Sequence, residues 1–162
     1  MRPKEFTGIV LIAAAISMNT EGITPLKCFL ANLLGRLLPH FPISSIDQDL
    51  VVRSEEAKQI IANDPYHYNG FVKAGWAKTM LETLRELPSC VKNVDFPVLI
   101  LHGGSDKVCD VSGAKMLFDS AKSKDKSLKV YPHSYHSLLR EPDGISDQVI
   151  TDVIDWMELR IG

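Results

Sequence analysis

Three short aliphatic runs constrain this chain more than any other feature: Ile9 to Ala13, Pro97 to His102 and Leu128 to Tyr131. Each lacks the sustained polar alternation of a half-exposed strand, so each is expected to be covered on both faces. Between the second and third runs, Ser112 to Lys124 reads as a helix. Ala114, Leu117, Phe118 and Ala121 fall on one face at helical spacing. Strand, helix and strand at that length form a βαβ unit, which makes the two strands parallel. A last helix is predicted from about Ser146 to Arg160, capped by Ser146 or Asp147 after the Pro142-Asp143-Gly144 turn. Its apolar stripe is Val149, Ile150, Val153, Ile154 and Met157.

The stretch from Thr20 to Asn93 carries no convincing strand and reads as a helical insertion. Pro25 opens one helix at its first position, and Leu26, Phe29, Leu30, Leu33, Leu34, Leu37 and Leu38 cover more than one of its faces up to Pro39. Ser54 caps a second helix to Ala62, with Glu55 and Glu56 in the favourable first turn. Phe71 to Leu87 makes a third, which Pro88 should end. The expected organisation is therefore a core strand and its flank over residues 1–19, a helical cap or lid over 20–93, and an α/β core over 94–162.

Charge narrows the partners. Eighteen Lys and Arg against 20 Asp and Glu give a net charge of −2, which excludes the clustered positive excess of a nucleic-acid binder. Cys28, Cys90 and Cys109 are too far apart for a zinc or disulfide framework and read as free thiols in a reducing, cytoplasmic setting. Arg2 and Lys4 before the apolar run from Gly8 to Ile16 superficially resemble a secretory signal. Glu5 within that basic flank, and the fit of the run to a buried strand, argue against it.

Function in an open parallel sheet gathers on the loops after the strands. Two such loops stand out: Gly103-Gly104-Ser105-Asp106-Lys107-Val108-Cys109-Asp110, and Pro132-His133-Ser134-Tyr135-His136-Ser137. A carboxylate on one and an imidazole on the next can meet across adjacent strands and make the imidazole a general base. Blander roles compete. Asp106 suits an Asx turn beside two glycines, Asp110 an N-cap, and His133 and His102 plain loop and strand-end positions. His40 and His67, beside prolines and tyrosine, are given no role. Only two plausible ligands converge, so neither a metal nor another cofactor is expected.

The stretch Pro97-Val98-Leu99-Ile100-Leu101-His102-Gly103-Gly104-Ser105-Asp106, followed by Val130-Tyr131-Pro132-His133-Ser134-Tyr135-His136, resembles the C-terminal half of an α/β-hydrolase. It is most similar to the monoacylglycerol lipase and serine-aminopeptidase-like group. Ile46-Asp47 and Arg53-Ser54 ahead of Asn63-Asp64-Pro65 resemble that group's cap, and Arg2-Pro3 through Leu11-Ile12 its passage from helix to strand after the nucleophile. The resemblance implies a partial α/β-hydrolase fold of about three parallel strands with flanking helices and a lid inserted after the first. It implies Asp106 as the triad acid and His136 as the base, with Val108 and Cys109 beside the acyl pocket. Leu33 and Leu37 on the lid helix would then contribute to an acyl channel, and that helix would either rest on a membrane surface or, since its leucines nearly encircle it, pack all round against the lid's other helices. A thiol modification at Cys109 would obstruct the pocket, unless Cys109 is a buried, inert thiol.

One motif is missing. The nucleophile elbow of this fold, G-x-S-x-G, occurs nowhere in the 162 residues, and the oxyanion-hole segment, a His-Gly-type loop after an early strand, is also absent, His102-Gly103 belonging to the loop of the acid. Two readings follow: a serine hydrolase of lipid esters represented by a chain truncated at its N-terminus, or a non-catalytic fragment, splice form or pseudo-enzyme that acts as an interaction module. In either case the first strand would have a bare edge open to self-association.

Overall fold

The computed structural model describes residues 6–17 and 24–161; the sequence features at Arg2, Pro3, Lys4 and Glu5 lie outside them. In chain order the elements are β1 (Ile9–Ile12), α1 (Pro25–Leu37), β2 (Pro42–Ser44), α2 (Gln48–Val51), α3 (Glu55–Asn63), β3 (Val72–Lys73) and α4 (Ala74–Cys90). Then follow β4 (Val98–Gly103), α5 (Val111–Ser120), β5 (Lys126–Tyr131) and α6 (Ile145–Ile161).

The main sheet is parallel and ordered β1-β4-β5. β4 lies at its centre, and all six of its residues are buried. The absence of polar alternation has a direct cause here. Val98 and Ile100 pack on one face with Ala114, Leu117 and Ala121 from α5 and its end. Leu99 and Leu101 pack on the other face with Tyr131, Leu138 and Val149. With layers on both sides, alternate side chains both need to be apolar. β1 pairs with β4 from Ile9↔Val98 to Ile12↔Leu101 and is only half-buried. Its second edge has no strand partner among the described residues.

Several sequence expectations are corrected. α5 ends at Ser120 and not at Lys124, with Ala121 already extended. Ser123 explains the early stop, since its hydroxyl donates to the Asp125 carbonyl and accepts from the Asp125 N–H, an alternative to helical bonding. α4 runs through Pro88 to Cys90. A proline this near a helix end removes a single bond, to the Leu84 carbonyl, and the Val91 N–H still reaches the Leu87 carbonyl. α6 starts at Ile145, and the Ser146 hydroxyl donates to the Leu139 carbonyl instead of capping the helix.

The insertion does contain strands. β2 and β3 pair antiparallel, Pro42 with Lys73 and Ser44 with Val72, with a register shift between. Strands this short carry no period for a sequence to display. α1 is capped by the Thr24 side chain, which accepts from the Lys27 N–H, and α3 by Ser54, which accepts from the Ala57 N–H. α1 crosses α4 closely. A Cβ added at Gly35 would lie 2.6 Å from the Lys78 Cβ and 2.8 Å from the Ala74 carbonyl, so glycine is what permits the approach. No residue of α1 is fully buried.

Candidate active site

The two strand-end loops are stitched together by backbone bonds. Gly104 N–H donates to the Tyr131 carbonyl at 2.8 Å, and Ser105 N–H to the Ser134 carbonyl at 2.9 Å. Gly103 makes this possible, because a Cβ there would sit 2.3 Å from the Tyr135 carbonyl and 2.5 Å from that of Ser134. His133, with φ of 62°, takes the left-handed turn of the second loop and is itself exposed.

Asp106 uses its two oxygens for different purposes. Oδ1 accepts from the Val108 N–H at 2.8 Å and the Cys109 N–H at 2.9 Å, which closes an Asx-type turn. Oδ2 lies 2.9 Å from His136 Nδ1 and 3.4 Å from His102 Nε2. The turn fixes the carboxylate and so aims its free oxygen at the imidazole. The Asp106 side chain is fully buried, whereas that of His136 is 29% exposed. A carboxylate can only accept, so His136 Nδ1 carries the hydrogen that bonds it, and Nε2 is left for chemistry.

The charges follow from these contacts. Burial pushes the Asp106 carboxyl up, but hydrogen bonds from His102, His136 and the Cys109 N–H overcome it and hold the group well below the ordinary carboxylate range. His136 is raised from 6.5 to about 10, first by its bond to Asp106 and then by the Cys109 side chain, against an opposing burial effect. Near neutrality the pair is therefore an imidazolium on a carboxylate. Covering the exposed part of His136 would desolvate the cation and bring it down towards a working base.

A cavity of about 620 Å³ opens beside His136, with Val108, Ile46, Val51, Phe71 and Trp76 among its lining residues. Its surroundings are mostly apolar, as suits a hydrocarbon chain. Cys109, next to Val108 in sequence, is buried, 3% exposed, and is not in the lining. Leu33 and Leu37 are not in it either; they lie on α1, 43% and 69% exposed. Asp110 caps α5 by accepting from the Ser112 N–H at 2.7 Å. The contact of His102 with the acid was missed from sequence, although a polar residue ending a buried aliphatic run is itself a sign that a polar partner awaits it. His102 Nε2 also lies 3.0 Å from the Cys109 carbonyl, and its buried Nδ1 has no hydrogen-bond partner among the described residues.

Residues 1–143 match the family described as serine aminopeptidase, S33. The monoglyceride lipase of Mus musculus is 31% identical over 160 residues, which are 99% of this chain and 53% of that protein. The monoacylglycerol lipase of Mycolicibacterium smegmatis is 32% identical over 155 residues, 96% of this chain and 54% of that protein. In fold, the chain resembles the crystal structure of the Paleococcus ferrophilus monoacylglycerol lipase with a TM-score of 0.85 at 22% identity, over 96% of this chain and 60% of that one. The chain thus spans about half the length of the curated relatives it matches. From a two-faced parallel sheet, paired strand-end loops and this match, the chain belongs to the serine aminopeptidase S33 family of α/β-hydrolases, in its monoacylglycerol lipase-like group.

Proposed function

We propose that this chain supplies the acid, the base and part of the acyl pocket of a serine hydrolase that cleaves lipid carboxylic esters of the monoacylglycerol type. The observation that carries the reading is the Asp106 Oδ2 to His136 Nδ1 bond of 2.9 Å at the mouth of an apolar cavity. Fixed this way, His136 Nε2 would take the proton of a serine hydroxyl as its oxygen attacks the ester carbonyl. It would then return the proton to the departing alcohol. Water would hydrolyse the acyl-enzyme with His136 as base again, while Asp106 holds the tautomer and balances the imidazolium. No G-x-S-x-G elbow occurs in these 162 residues, and we assign the serine and the oxyanion donors to a segment outside this sequence. Val108 would line the acyl path, with the buried Cys109 next to it in sequence.

The exposed side of α1 supports a lid that meets lipid. Leu26, Phe29 and Leu37 are each more than 60% exposed, and Leu30 and Leu33 continue the patch. We read Leu33 and Leu37 as part of the surface over which substrate enters, with the protein cytoplasmic and resting peripherally on a membrane. No helix among the described residues is long and apolar enough to cross one.

A second reading, a non-catalytic interaction module, draws support from the open edge of β1, which is available to a second copy or another strand. Activity-based labelling separates the two readings. A fluorophosphonate probe is applied to the native source, followed by capture with an antibody to the α5 segment. Labelled protein well above 18.0 kDa supports the hydrolase. Unlabelled protein at 18.0 kDa, self-associated in sedimentation, supports the module.

A further inference from the structure

The catalytic loop is held by the cap from both sides of His136. On one side, the Ser137 N–H donates to the Val51 carbonyl at 3.0 Å. On the other, the Tyr135 N–H donates to Glu141 Oε1 at 2.8 Å. The second carboxylate oxygen, Oε2, receives Arg53 Nε at 2.6 Å. The two amides that flank His136 thus end on residues 51 and 53 of one cap segment, the first directly and the second through a carboxylate.

Glu141 is buried, with 1% of its side chain exposed, while Arg53 is 30% exposed. A buried carboxylate is costly unless its charge is met and its oxygens are bonded. Arg53 meets that charge and also reaches the exposed Asp143, 3.6 Å away. Its neighbour Val52 is 1% exposed and packs with Ala57 and Ile61, which fixes the segment to α3. Val51, Ile46 and Gln48 from the same segment line the cavity. One short piece of cap therefore touches both the space for a ligand and the backbone that aims the imidazole.

We infer that Arg53 and Glu141 are positioning residues for His136, through which the cavity-lining segment of the cap sets the geometry of the base. The inference rests on the reading of His136 as a base, but its test does not depend on ester cleavage. The groups facing the His136 ring are the Asp106 carboxylate and the Cys109 thiol. A loosened loop lengthens the bond to Asp106, and the ring then titrates lower.

The experiment is an NMR titration of the His136 ring in the 162-residue chain. Arg53→Met should lower its pKa by about one unit or more, and Arg53→Lys should restore most of the loss. Glu141→Gln, which keeps an acceptor for the Tyr135 N–H but loses the ion pair, should fall between wild type and Arg53→Met, and it stands in if Arg53→Met does not fold. Arg160→Met, which breaks the ion pair with Asp125 just before β5, at the opposite strand end from the His136 loop, controls for general destabilisation and should leave His136 unmoved. An unchanged His136 titration in the Arg53 and Glu141 variants overturns the inference, and so does an equal drop in Arg160→Met. A failure of the hydrolase reading would show instead as absent labelling, with this titration unaffected.

Discussion

The sheet and the cap bury their apolar residues in opposite ways. In β4 every side chain is enclosed, and both faces meet other layers. In α1 no residue is fully buried, and Leu26, Phe29, Leu30, Leu33 and Leu37 are exposed although the helix crosses α4 closely at Gly35. Both elements carry an aliphatic run, although α1 also holds Lys27, Asn32 and Arg36. What differs is whether a second layer exists to receive it. A hydrophobic run in the sheet holds the fold together, while a hydrophobic run in the cap stays exposed among the described residues.

Substitutions sharpen that contrast, and the largest effect belongs to the sheet. Ile100→Ala should cost about 2–5 kcal/mol in urea unfolding, through lost transfer energy and the cavity it leaves. An effect under about 1 kcal/mol would show that the β4 layer is not closed. Gly103→Ala comes next, since its new methyl group would drive against the Tyr135 and Ser134 carbonyls and should destabilise by roughly 1–3 kcal/mol. It should also separate the two loops, seen as loss of protection at the Ser105 amide in hydrogen exchange.

A smaller and pH-dependent effect marks the acid–base pair. His136 is raised, so its share of stability is fully present below 6.5 and is lost as pH climbs through about 10. Asp106 is lowered, so its share is present above the ordinary 3.8 and is lost as pH falls below it. The stability gap between wild type and Asp106→Asn should therefore be widest between about pH 4 and 6.5 and should narrow towards pH 10. A gap that widens with alkalinity would contradict the pair. The smallest effect on stability belongs to the cap: Leu37→Gln should change unfolding by less than about 0.5 kcal/mol. The same variant should weaken sedimentation with phosphatidylcholine vesicles. Unchanged vesicle binding would remove α1 from the lipid-facing role.

This contrast also explains what the sequence could disclose. β1, β4 and β5 were legible because each carries the signature of an aliphatic run, although only β4 is buried throughout and β1 and β5 are mostly half-buried, and α5 because its stripe repeats at helical spacing. β2, β3 and the four-residue α2 had no such signature, as they are too short to repeat anything. Pro88 misled because the cost of a proline depends on how close the helix end lies, and only packing decides that. At the site, both readings of Asp106 hold at once, the Asx turn at Oδ1 and the imidazole partner at Oδ2. The Arg53–Glu141 tie could not be read in advance, since the pair is 88 residues apart in sequence and no local pattern links them.

The central claim is that Asp106 and His136 form a built pair in this chain even though no nucleophile elbow lies within it. The most direct test is a nitrogen-15 NMR titration of the His136 ring in wild type and in Asp106→Asn. The account predicts a wild-type ring that stays protonated well above 6.5, with hydrogen on both nitrogens, and an Asn variant that titrates near the ordinary value. A wild-type ring that titrates near 6.5, unmoved by the substitution, would contradict it.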